Sequence, residues 1–452
     1  MNQQKATSSH DKKRISTLIH AAWIVPVDGK SRLLADHSIA IHEGLILTIL
    51  PSIEAKTKYS ASEEYDLDSH VLMPGLINAH GHAPMSLFRG LADDMPLMTW
   101  LNDHIWPAEG KWVSEEFVHD GSELAIAEML LGGTTTYSDM YFFPEVAADL
   151  AEHAGIRAQF VCPILDFPTI WGSGPEDYIE KTLHLAERYQ ESSRITIGFG
   201  PHAPYTVSDE PLKKIIQLAA SKQLPIQIHL HETQQEVDDA IGADQLRPIE
   251  RLKQLGLIND TFPLQCVHMT ALNDNDIATI AASGASVIHC PESNLKLASG
   301  FCPTEKLIQR DITVALGTDG AASNNDLDML GEMRTAALIA KPIANDASAL
   351  KAHTAIEMAT INGAKALGID SITGSLVTNK AADIIAIDLD HFNTQPSYDI
   401  VSDIVYSAAS SQVTHVWVEG RLLVEQGKLC TLDRQKILNS AKYWADKIKQ
   451  QS

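Results

Sequence analysis

The fold of this chain is decided by Val71-Leu72-Met73-Pro74-Gly75-Leu76-Ile77-Asn78-Ala79-His80-Gly81-His82. An apolar run leads directly into two histidines that are separated by one glycine. In a strand, residues i and i+2 point to the same face, so the two imidazoles converge on one point and Gly81 leaves room between them. A His-x-His pair is common by chance, and its meaning depends on what the rest of the chain places beside it.

Outward from this stretch, short β-rich runs alternate with helical stretches, which is the pattern of parallel βα units. The amphipathic helical stretches include Glu115–Leu131, Glu210–Lys222 and Asp274–Ala282. The β-rich runs end at about Ala79, Met140, Leu165, Pro201, Leu230, His268, His289 and Thr318. Eight strands with intervening helices predict an α/β fold, a (β/α)8 barrel of the TIM type, over residues 74–371.

The two flanks of the barrel have a different pattern. Residues 15–73 and 372–432 contain short alternating strands, and each flank alone is thin for an independent core. We therefore expect them to pair as one small composite β-sandwich beside the barrel. A helix is expected at about His353–Leu367 and another at 433–452, while residues 1–14 read as a disordered lead-in without the features of a signal peptide.

Charge and cysteine content exclude several classes of function. The chain carries 35 basic and 58 acidic residues, a net charge of -23, which disfavours binding to nucleic acid or to anionic membranes. No stretch approaches the ~18 consecutive apolar residues of a transmembrane helix. The 5 cysteines are scattered without Cys-x-x-Cys spacing, so we expect reduced thiols in a cytoplasmic protein.

Three further strand ends carry side chains suited to metal or proton chemistry. His229-Leu230-His231-Glu232 follows the fifth strand, His268 ends the sixth, and Asp319 follows the eighth. The carboxyl ends of barrel strands meet on one face, where barrel enzymes keep their chemistry. Neutral imidazole is the usual zinc ligand, and three protein ligands with an open position describe a catalytic site. Strand geometry alone leaves open whether His229 or His231 is the third histidine ligand.

The order of these residues resembles the amidohydrolase superfamily over about Pro74–Leu367. Longer strings narrow the resemblance to the 5′-methylthioadenosine/S-adenosylhomocysteine deaminases. These strings are 73–85 around the His-x-His pair, Gly200-Pro201-His202-Ala203-Pro204-Tyr205, Ser293-Asn294-Leu295-Lys296-Leu297 and 317–325 around Asp319. The composite β domain is also typical of that superfamily.

The resemblance implies a metal site and a reaction. It selects His229, and the implied ligands of one divalent ion, zinc, are His80, His82, His229 and Asp319. The end of the fourth strand carries His202 instead of the carboxylated lysine of bimetallic members, which favours a single ion. The implied reaction is hydrolytic deamination at carbon 6 of an adenine nucleoside. The implied catalytic residues are Asp319, which takes a proton from water, Glu232, which protonates a ring nitrogen, and His268, which stabilises the oxyanion.

The resemblance also implies the substrate contacts. Glu109 is expected to bind the ribose hydroxyls, His202 the purine, and Glu232 and Asp319 the reacting part of the ring. Some relatives bind the carboxylate of S-adenosylhomocysteine through arginines after the third strand. Residues 158–180 contain no Lys or Arg here, and Cys162 stands about where one such arginine would be. The segment offers Phe167, Pro168, Ile170 and Trp171 instead, with Arg89 as a remaining candidate cation, and we therefore expect a preference for methylthioadenosine.

Rival interpretations share parts of this pattern. An adenosine or guanine deaminase, or a chloro-s-triazine hydrolase, would use the same metal ligands on the same barrel. A barrel retained as a non-catalytic scaffold would be expected to lack a ligand or Glu232, and all are present. A homo-oligomer, a dimer or larger, is expected for this architecture.

Overall fold

The structure, a computed structural model, describes residues 12–450. Its strands form two sheets of eight strands each. In chain order they are β1 (Lys13–Ile24), β2 (Leu34–His42), β3 (Leu45–Pro51), β4 (Tyr59–Pro74), β5 (Leu76–Asn78), β6 (Thr134–Asp139), β7 (Arg157–Ile164), β8 (Ile195–Pro201), β9 (Ile226–Leu230), β10 (Leu264–His268), β11 (Ser286–His289), β12 (Val314–Leu316), β13 (Ile384–Asp388), β14 (Val413–Val418), β15 (Arg421–Glu425) and β16 (Lys428–Leu429).

Strands β5 to β12 form the barrel, and each is parallel to its neighbour in sequence order. The ring closes between its first and last strands, where the Ala79 N–H donates to the Leu316 carbonyl at 2.9 Å. Gly81 and Asp319 form a parallel bridge just beyond this point. The predicted (β/α)8 barrel is thus confirmed, with every strand ending within two residues of its predicted end.

Helices connect the barrel strands and cover the outside of the ring. The α-helices are Ser52–Lys58, Leu97–Thr99, Trp106–Trp112, Glu115–Leu131, Pro144–Ala154, Pro175–Arg188, Asp209–Lys222, Gln234–Asp244, Pro248–Leu255, Asp274–Ala281, Pro291–Lys296, Thr304–Ile308, Ala321–Asn324, Met329–Ala344, Ala352–Ala359, Ile361–Ala366, Ile400–Ser402 and Arg434–Lys449. Short 3-10 helices occupy Ala83–Phe88 and Ser410–Gln412, and π-helical segments occupy Trp100–Ile105 and Asp403–Ser407.

The structure adds detail to one sequence expectation and corrects another. The apolar run from Val71 to Ile77 divides at Gly75 between β4 of the outer sheet and β5 of the barrel, close to the expected domain boundary between residues 73 and 74. A Cβ at Gly75 would lie 2.0 Å from the Thr135 hydroxyl oxygen, so the chain passes between the sheets where a side chain has no room. The single helix expected at His353–Leu367 is two helices, broken at Thr360, whose backbone leaves the helical region.

The two flanks build the second sheet together, in the order β16-β15-β14-β13-β4-β1-β2-β3. They meet where β13 pairs antiparallel with β4. Ile19, Ile384 and Trp417, from both flanks, share one fully buried apolar cluster. The expectation of a composite β domain is therefore confirmed, and its strands are hydrogen-bonded as one continuous sheet. The domain limits at residues 74 and 372 stay a prediction.

Two contacts fix the surrounding elements on the barrel. The Arg157 guanidinium, at the start of β7, forms a buried ion pair with Asp383 at 3.1 Å, which ties the barrel to the outer sheet. The C-terminal helix docks through Trp444, whose indole N–H donates to Asp120 Oδ2 at 2.9 Å. Within residues 12–450, no helix is both long and apolar enough to cross a membrane. The expected lead-in lies largely outside the described residues, and β1 begins at Lys13.

Candidate active site

A cavity of about 350 Å³ opens at the carboxyl ends of the barrel strands. Its floor contains the predicted site residues, and its walls come mainly from residues 97–110 and from the loop after β7. The predicted site residues that line it are His82, Glu109, His202, His229, Glu232, His268 and Asp319. The barrel thus brings residues that are far apart in sequence to one place, as the positions of the strand ends predicted.

Three histidines form a compact cluster at the floor of this cavity. The ring nitrogens of His80, His82 and His229 all lie within 4.8 Å of one another. Each ring donates its Nδ1–H outward: His80 to Gln227 Oε1 at 2.6 Å, His82 to the Met140 carbonyl at 2.7 Å and His229 to the His202 carbonyl at 2.7 Å. These bonds orient the three rings, so each directs its Nε2 toward the centre of the cluster.

The spacing of these nitrogens fits a tetrahedral cation. His80 Nε2 lies 3.2 Å from His229 Nε2, and two lone pairs at that distance repel each other unless a positive charge lies between them. Two nitrogens that are each 2.0–2.1 Å from a tetrahedral zinc ion would be about 3.3 Å apart. Burial lowers the pKa of His80 to about 4 and that of His229 well below its usual range, so both rings are neutral.

Asp319 completes the cluster from the end of β12. Its Oδ1 lies 3.1 Å from His82 Nε2 and 3.5 Å from His80 Nε2. Burial alone would lower the pKa of His82, but the hydrogen bond and charge of Asp319 outweigh burial and raise it to about 9. The raised pKa means that His82 holds a proton on Nε2, beside Asp319, and a divalent cation bound to the cluster would replace that proton. The other oxygen, Oδ2, accepts from Ser293 at 2.6 Å and from Ser323 at 2.9 Å, which orients the carboxylate.

Glu232 stands three residues after His229 and faces the same cavity. Its Oε1 accepts from the Ser299 hydroxyl at 3.2 Å. Its own backbone N–H donates to Glu236 Oε2 at 2.7 Å, which holds the turn after β9. Burial, and then the charge of Asp319, raises the pKa of Glu232 to about 8, so the carboxyl group carries a proton at neutral pH. A buried, protonated carboxyl in a cavity is suited to donating a proton.

His268 lies opposite Glu232 at the end of β10. Its Nδ1–H donates to Asn294 Oδ1 at 2.9 Å, and its Nε2 is 3.8 Å from Glu232 Oε2. The backbone of His268 has φ +73° and that of Asp319 φ +61°, a left-handed conformation that costs non-glycine residues about 1 kcal/mol or more. Such strain at two strand ends of one site is typical of residues held for a function.

The structure decides between the two histidines that follow β9. His231 turns away from the cavity: its Nδ1–H donates to the Ala271 carbonyl at 3.0 Å, and its Nε2 accepts from the Ile249 N–H at 3.2 Å. Both ring nitrogens are therefore occupied by the backbone. His229 is the member of the pair that belongs to the metal cluster.

The other two of the four predicted substrate-binding residues, Glu109 and His202, also line the cavity. His202 follows β8, and its Nδ1 lies 3.2 Å from the Thr206 hydroxyl. Glu109 comes from the helix Trp106–Trp112. Removal from water raises the pKa of Glu109 to about 7, although a hydrogen bond with the nearby Tyr141 hydroxyl acts in the opposite direction.

The far end of the cavity is apolar, and its lining differs in part from expectation. Phe167, Pro168 and Ile170 line it as expected, but Trp171 does not. The Trp171 ring is buried behind this wall, where it stacks on Tyr178 with ring centroids 5.6 Å apart and donates its indole N–H to Glu145. The sequence led to the expectation that Trp171 lines the cavity. The side chains of loop residues after a strand follow no regular pattern of directions, so the sequence alone does not show which of them face the cavity.

No cation replaces the missing arginines in this wall. Among the described residues that line the cavity, none is Lys or Arg. Arg89, the remaining candidate, forms an ion pair with Glu128 and does not line the cavity. Cys162 is fully buried within β7 and is also absent from the lining.

Sequence reasoning missed the residues that hold the ligands in place. Gln227 accepts from His80 inside the barrel, Asp139 accepts from the Ala83 N–H at 2.6 Å just after His82, and Ser293 and Asn294 hold Asp319 and His268. The one available signal for Gln227 was a polar residue in the middle of the apolar strand Ile226–Leu230, which requires a partner when it is buried.

Comparison with known proteins places the chain among hydrolases. The sequence model of the amidohydrolase family matches residues 71–423. A 5-methylthioadenosine/S-adenosylhomocysteine deaminase from Saccharophagus degradans is 55% identical over 98% of this chain and 98% of its own length.

Two solved structures are also similar. An adenosine deaminase from Xanthomonas campestris with bound zinc superposes with a TM-score of 0.96 and 44% identity, covering 97% of this chain and 100% of that one. The zinc complex of an atrazine chlorohydrolase from Arthrobacter aurescens has a TM-score of 0.89 at 22% identity over 95% of this chain and 100% of that one, which supports the fold alone.

Proposed function

Since the chain belongs to the amidohydrolase family, we propose that it is a zinc-dependent deaminase that hydrolyses the 6-amino group of an adenine nucleoside thioether and releases ammonia. The observation that carries this proposal is one site that brings together the His80–His82–His229 cluster, the buried Glu232 and Glu109. The preferred substrate is 5′-methylthioadenosine, ahead of S-adenosylhomocysteine.

The proposed ligands of one zinc ion are His80, His82, His229 and Asp319. The outward hydrogen bonds of the three histidines and the 3.2 Å spacing between two of their nitrogens support this assignment. The similar adenosine deaminase from Xanthomonas campestris is described with bound zinc. When bound, zinc supplies Lewis acidity, which lowers the pKa of a water molecule toward neutrality.

Asp319 and His268 are the proposed residues for handling the attacking water. Oδ2 of Asp319 is engaged by two serine hydroxyls, so Oδ1 is left to accept a proton. His268 directs Nε2 at the cavity because its Nδ1–H is held by Asn294. With that tautomer fixed, Nε2 accepts a hydrogen bond when the ring is neutral and donates to an oxyanion only when the ring is protonated.

Glu232 is the proposed proton donor to the purine ring. Protonation of a ring nitrogen makes carbon 6 electrophilic, and water adds there and gives a proton to Asp319. The leaving amino group takes up that proton and departs as ammonia, while the hydroxyl proton of the addition product returns to Glu232. The pKa of about 8 supports this role, because a group that must donate a proton has to hold it at the working pH. His202, on the wall beside Tyr205, is the proposed hydrogen-bond partner of the purine.

Glu109 is the proposed ribose-binding residue. A carboxylate can accept from two adjacent hydroxyls, and Glu109 lines the same cavity as His202 and Glu232. Nucleosides with a 2′,3′-diol are therefore the proposed class, which separates this site from one built for a free base or a triazine.

The apolar end of the cavity supports the preference for methylthioadenosine. A thiomethyl group fits against Phe167, Pro168 and Ile170 without any polar requirement. The amino-acid end of S-adenosylhomocysteine carries a carboxylate, and no lysine or arginine among the described lining residues is available to pair with it. A charged group that loses water without a partner weakens binding.

The decisive experiment measures zinc content and ammonia release on the same preparations. The parent enzyme should hold about one zinc ion per chain and deaminate methylthioadenosine with a higher kcat/KM than S-adenosylhomocysteine. Glu232→Gln should keep the zinc and lose about 10²- to 10⁴-fold in kcat, the usual contribution of a positioned proton donor. Glu210→Gln, at an exposed ion pair with Lys213, is the matched control and should change neither quantity.

The same substrate panel distinguishes the rivals. Faster turnover of guanine, adenosine or a chloro-s-triazine would replace the proposed substrate, and absence of both zinc and turnover would favour a scaffold. A cytoplasmic location is proposed from the unpaired state of all five cysteines, four of which are buried. Assembly into a homo-oligomer stays a prediction.

A further inference from the structure

Three polar side chains, Asp93, Lys296 and Asn325, form a hydrogen-bonded triangle, which we call the clasp. Lys296 Nζ donates to Asp93 Oδ1 at 2.6 Å and also to Asn325 Oδ1. Asn325 Nδ2 lies 3.4 Å from Asp93 Oδ2, which closes the triangle. The ammonium group therefore has two acceptors from two different segments.

Each member of the clasp belongs to a segment that builds the site. Lys296 ends the helix Pro291–Lys296, whose Ser293 and Asn294 hold Asp319 and His268. Asn325 follows the helix Ala321–Asn324, whose Ser323 also holds Asp319.

The third segment leads into residues that form part of the cavity wall. Asp93 precedes residues 97–112, which we call the roof segment. The roof segment contributes Leu97, Trp100, Leu101, Ile105, Trp106 and Glu109 to the lining. Its middle is the π-helical turn Trp100–Ile105, a rare geometry that occurs frequently at functional sites.

We propose that Lys296 is a positioning residue, which acts through the clasp to hold the roof segment, and with it Glu109, against the side of the cavity that carries the metal cluster. The expected change in KM rests on the proposed nucleoside substrate, whereas the expected change in the position of the roof segment does not. Loss of the clasp should weaken substrate binding more than it slows the chemical step, because Asp319 and His268 keep their own partners.

The size of the effect follows from the exposure of the clasp. The side chains of Lys296 and Asp93 are 21% and 37% exposed, so the pair is partly screened by water. A single partly exposed ion pair contributes little to stability, while a cation shared by two acceptors in a network contributes more. We expect about a threefold to tenfold rise in KM for methylthioadenosine and less than about a twofold change in kcat.

The kinetic test compares Lys296→Met, Asp93→Asn and the double variant. Each single variant should raise KM, and the double variant should be no worse than the more severe single variant, because both remove the same interaction. Lys306→Met is the matched control, since Lys306 forms an ion pair with Asp274 and neither residue lines the cavity. Equal KM values for Lys296→Met and Lys306→Met, or a fall in kcat at constant KM, would overturn the proposal.

A second measurement needs no substrate. Three of the 7 tryptophans, Trp100, Trp106 and Trp112, lie in the roof segment. Acrylamide quenching of fluorescence should increase in Lys296→Met and stay at the parent value in Lys306→Met, at equal thermal stability. Unchanged quenching would overturn the clasp even if methylthioadenosine is the substrate. Increased quenching in a protein that does not turn over methylthioadenosine would support the clasp and reject the proposed substrate.

Discussion

Oε1 of Gln227 lies 2.6 Å from Nδ1 of His80, in the interior of the barrel below the metal cluster. The Gln227 amide N–H groups donate in turn to the Ala79 carbonyl at 3.0 Å and to Gln265 Oε1 at 2.6 Å. Gln265 then donates to Gln159 Oε1 at 2.8 Å. This chain of glutamines fixes which end of each amide is the acceptor, and so it fixes which nitrogen of His80 carries the proton.

Gln227→Leu should therefore lower zinc affinity. The substitution leaves the buried Nδ1–H of His80 without an acceptor and frees the ring to rotate, and loss of such a partner typically costs about 10- to 100-fold in metal affinity. Zinc competition with a chelator measures the change directly. Gln159→Leu is the control, because it disturbs the far end of the same chain while His80 keeps its partner. Equal zinc affinity in both variants would contradict the assigned role of Gln227.

Gly317 allows the last barrel strand to approach the first ligand closely. A Cβ at this position would lie 2.8 Å from the His80 carbonyl oxygen and 2.9 Å from its backbone nitrogen, distances at which the backbone must move. Gly317→Ala should therefore displace His80 and lower both zinc content and turnover by about tenfold or more, since misplacement by about 1 Å is costly in an active site. Gly242→Ala, with nothing within 4 Å of the added atom, should behave as the parent enzyme.

Periodicity in the sequence was enough to predict the barrel, whereas side-chain directions that depend on packing could not be predicted. The eight strand ends could be located because apolar runs stop where barrel strands end, and the residues after them must share one face. The passage from the β domain to the barrel was expected at residues 73 and 74, but the reason for the break at Gly75 could not be read from the sequence, because it is the lack of space beside Thr135. Trp171 was misplaced for a similar reason, since its burial behind the cavity wall depends on Tyr178 and Glu145.

Substrate binding should depend on pH through Glu109. Removal from water raises the pKa of this carboxyl to about 7, and only the ionised form accepts from both ribose hydroxyls. KM for methylthioadenosine should thus rise as pH falls through 7, by up to about tenfold between pH 8 and pH 6. The rise follows because one bound proton stops the Glu109 carboxylate from accepting from both hydroxyls. Glu109→Gln should have a high KM without this pH dependence.

A substrate without the diol provides the control for this prediction. The 2′,3′-dideoxy analogue of methylthioadenosine should show the same KM at pH 6 and pH 8 with either enzyme. If the pH dependence of KM remained in Glu109→Gln, another group in the cavity would be responsible for it.

One added positive charge in the cavity should shift the substrate preference from methylthioadenosine toward S-adenosylhomocysteine. Ile170 lines the apolar end of the cavity with its side chain 57% exposed, so a longer polar group can be accommodated there. Ile170→Arg offers a guanidinium to the carboxylate of S-adenosylhomocysteine and removes apolar contact with the thiomethyl group of methylthioadenosine. The ratio of kcat/KM for S-adenosylhomocysteine to that for methylthioadenosine should rise about tenfold, which corresponds to one charge-assisted hydrogen bond of about 1.5 kcal/mol. The gain should shrink at high salt, because the site is open to solvent.

Two control variants separate a local contact from other effects. Ile170→Met tests the change of shape alone, and Ile343→Arg tests the added charge away from the cavity. Neither should change the ratio. A rise in the ratio with Ile343→Arg would mean that net charge, and not a local contact, controls the choice of substrate.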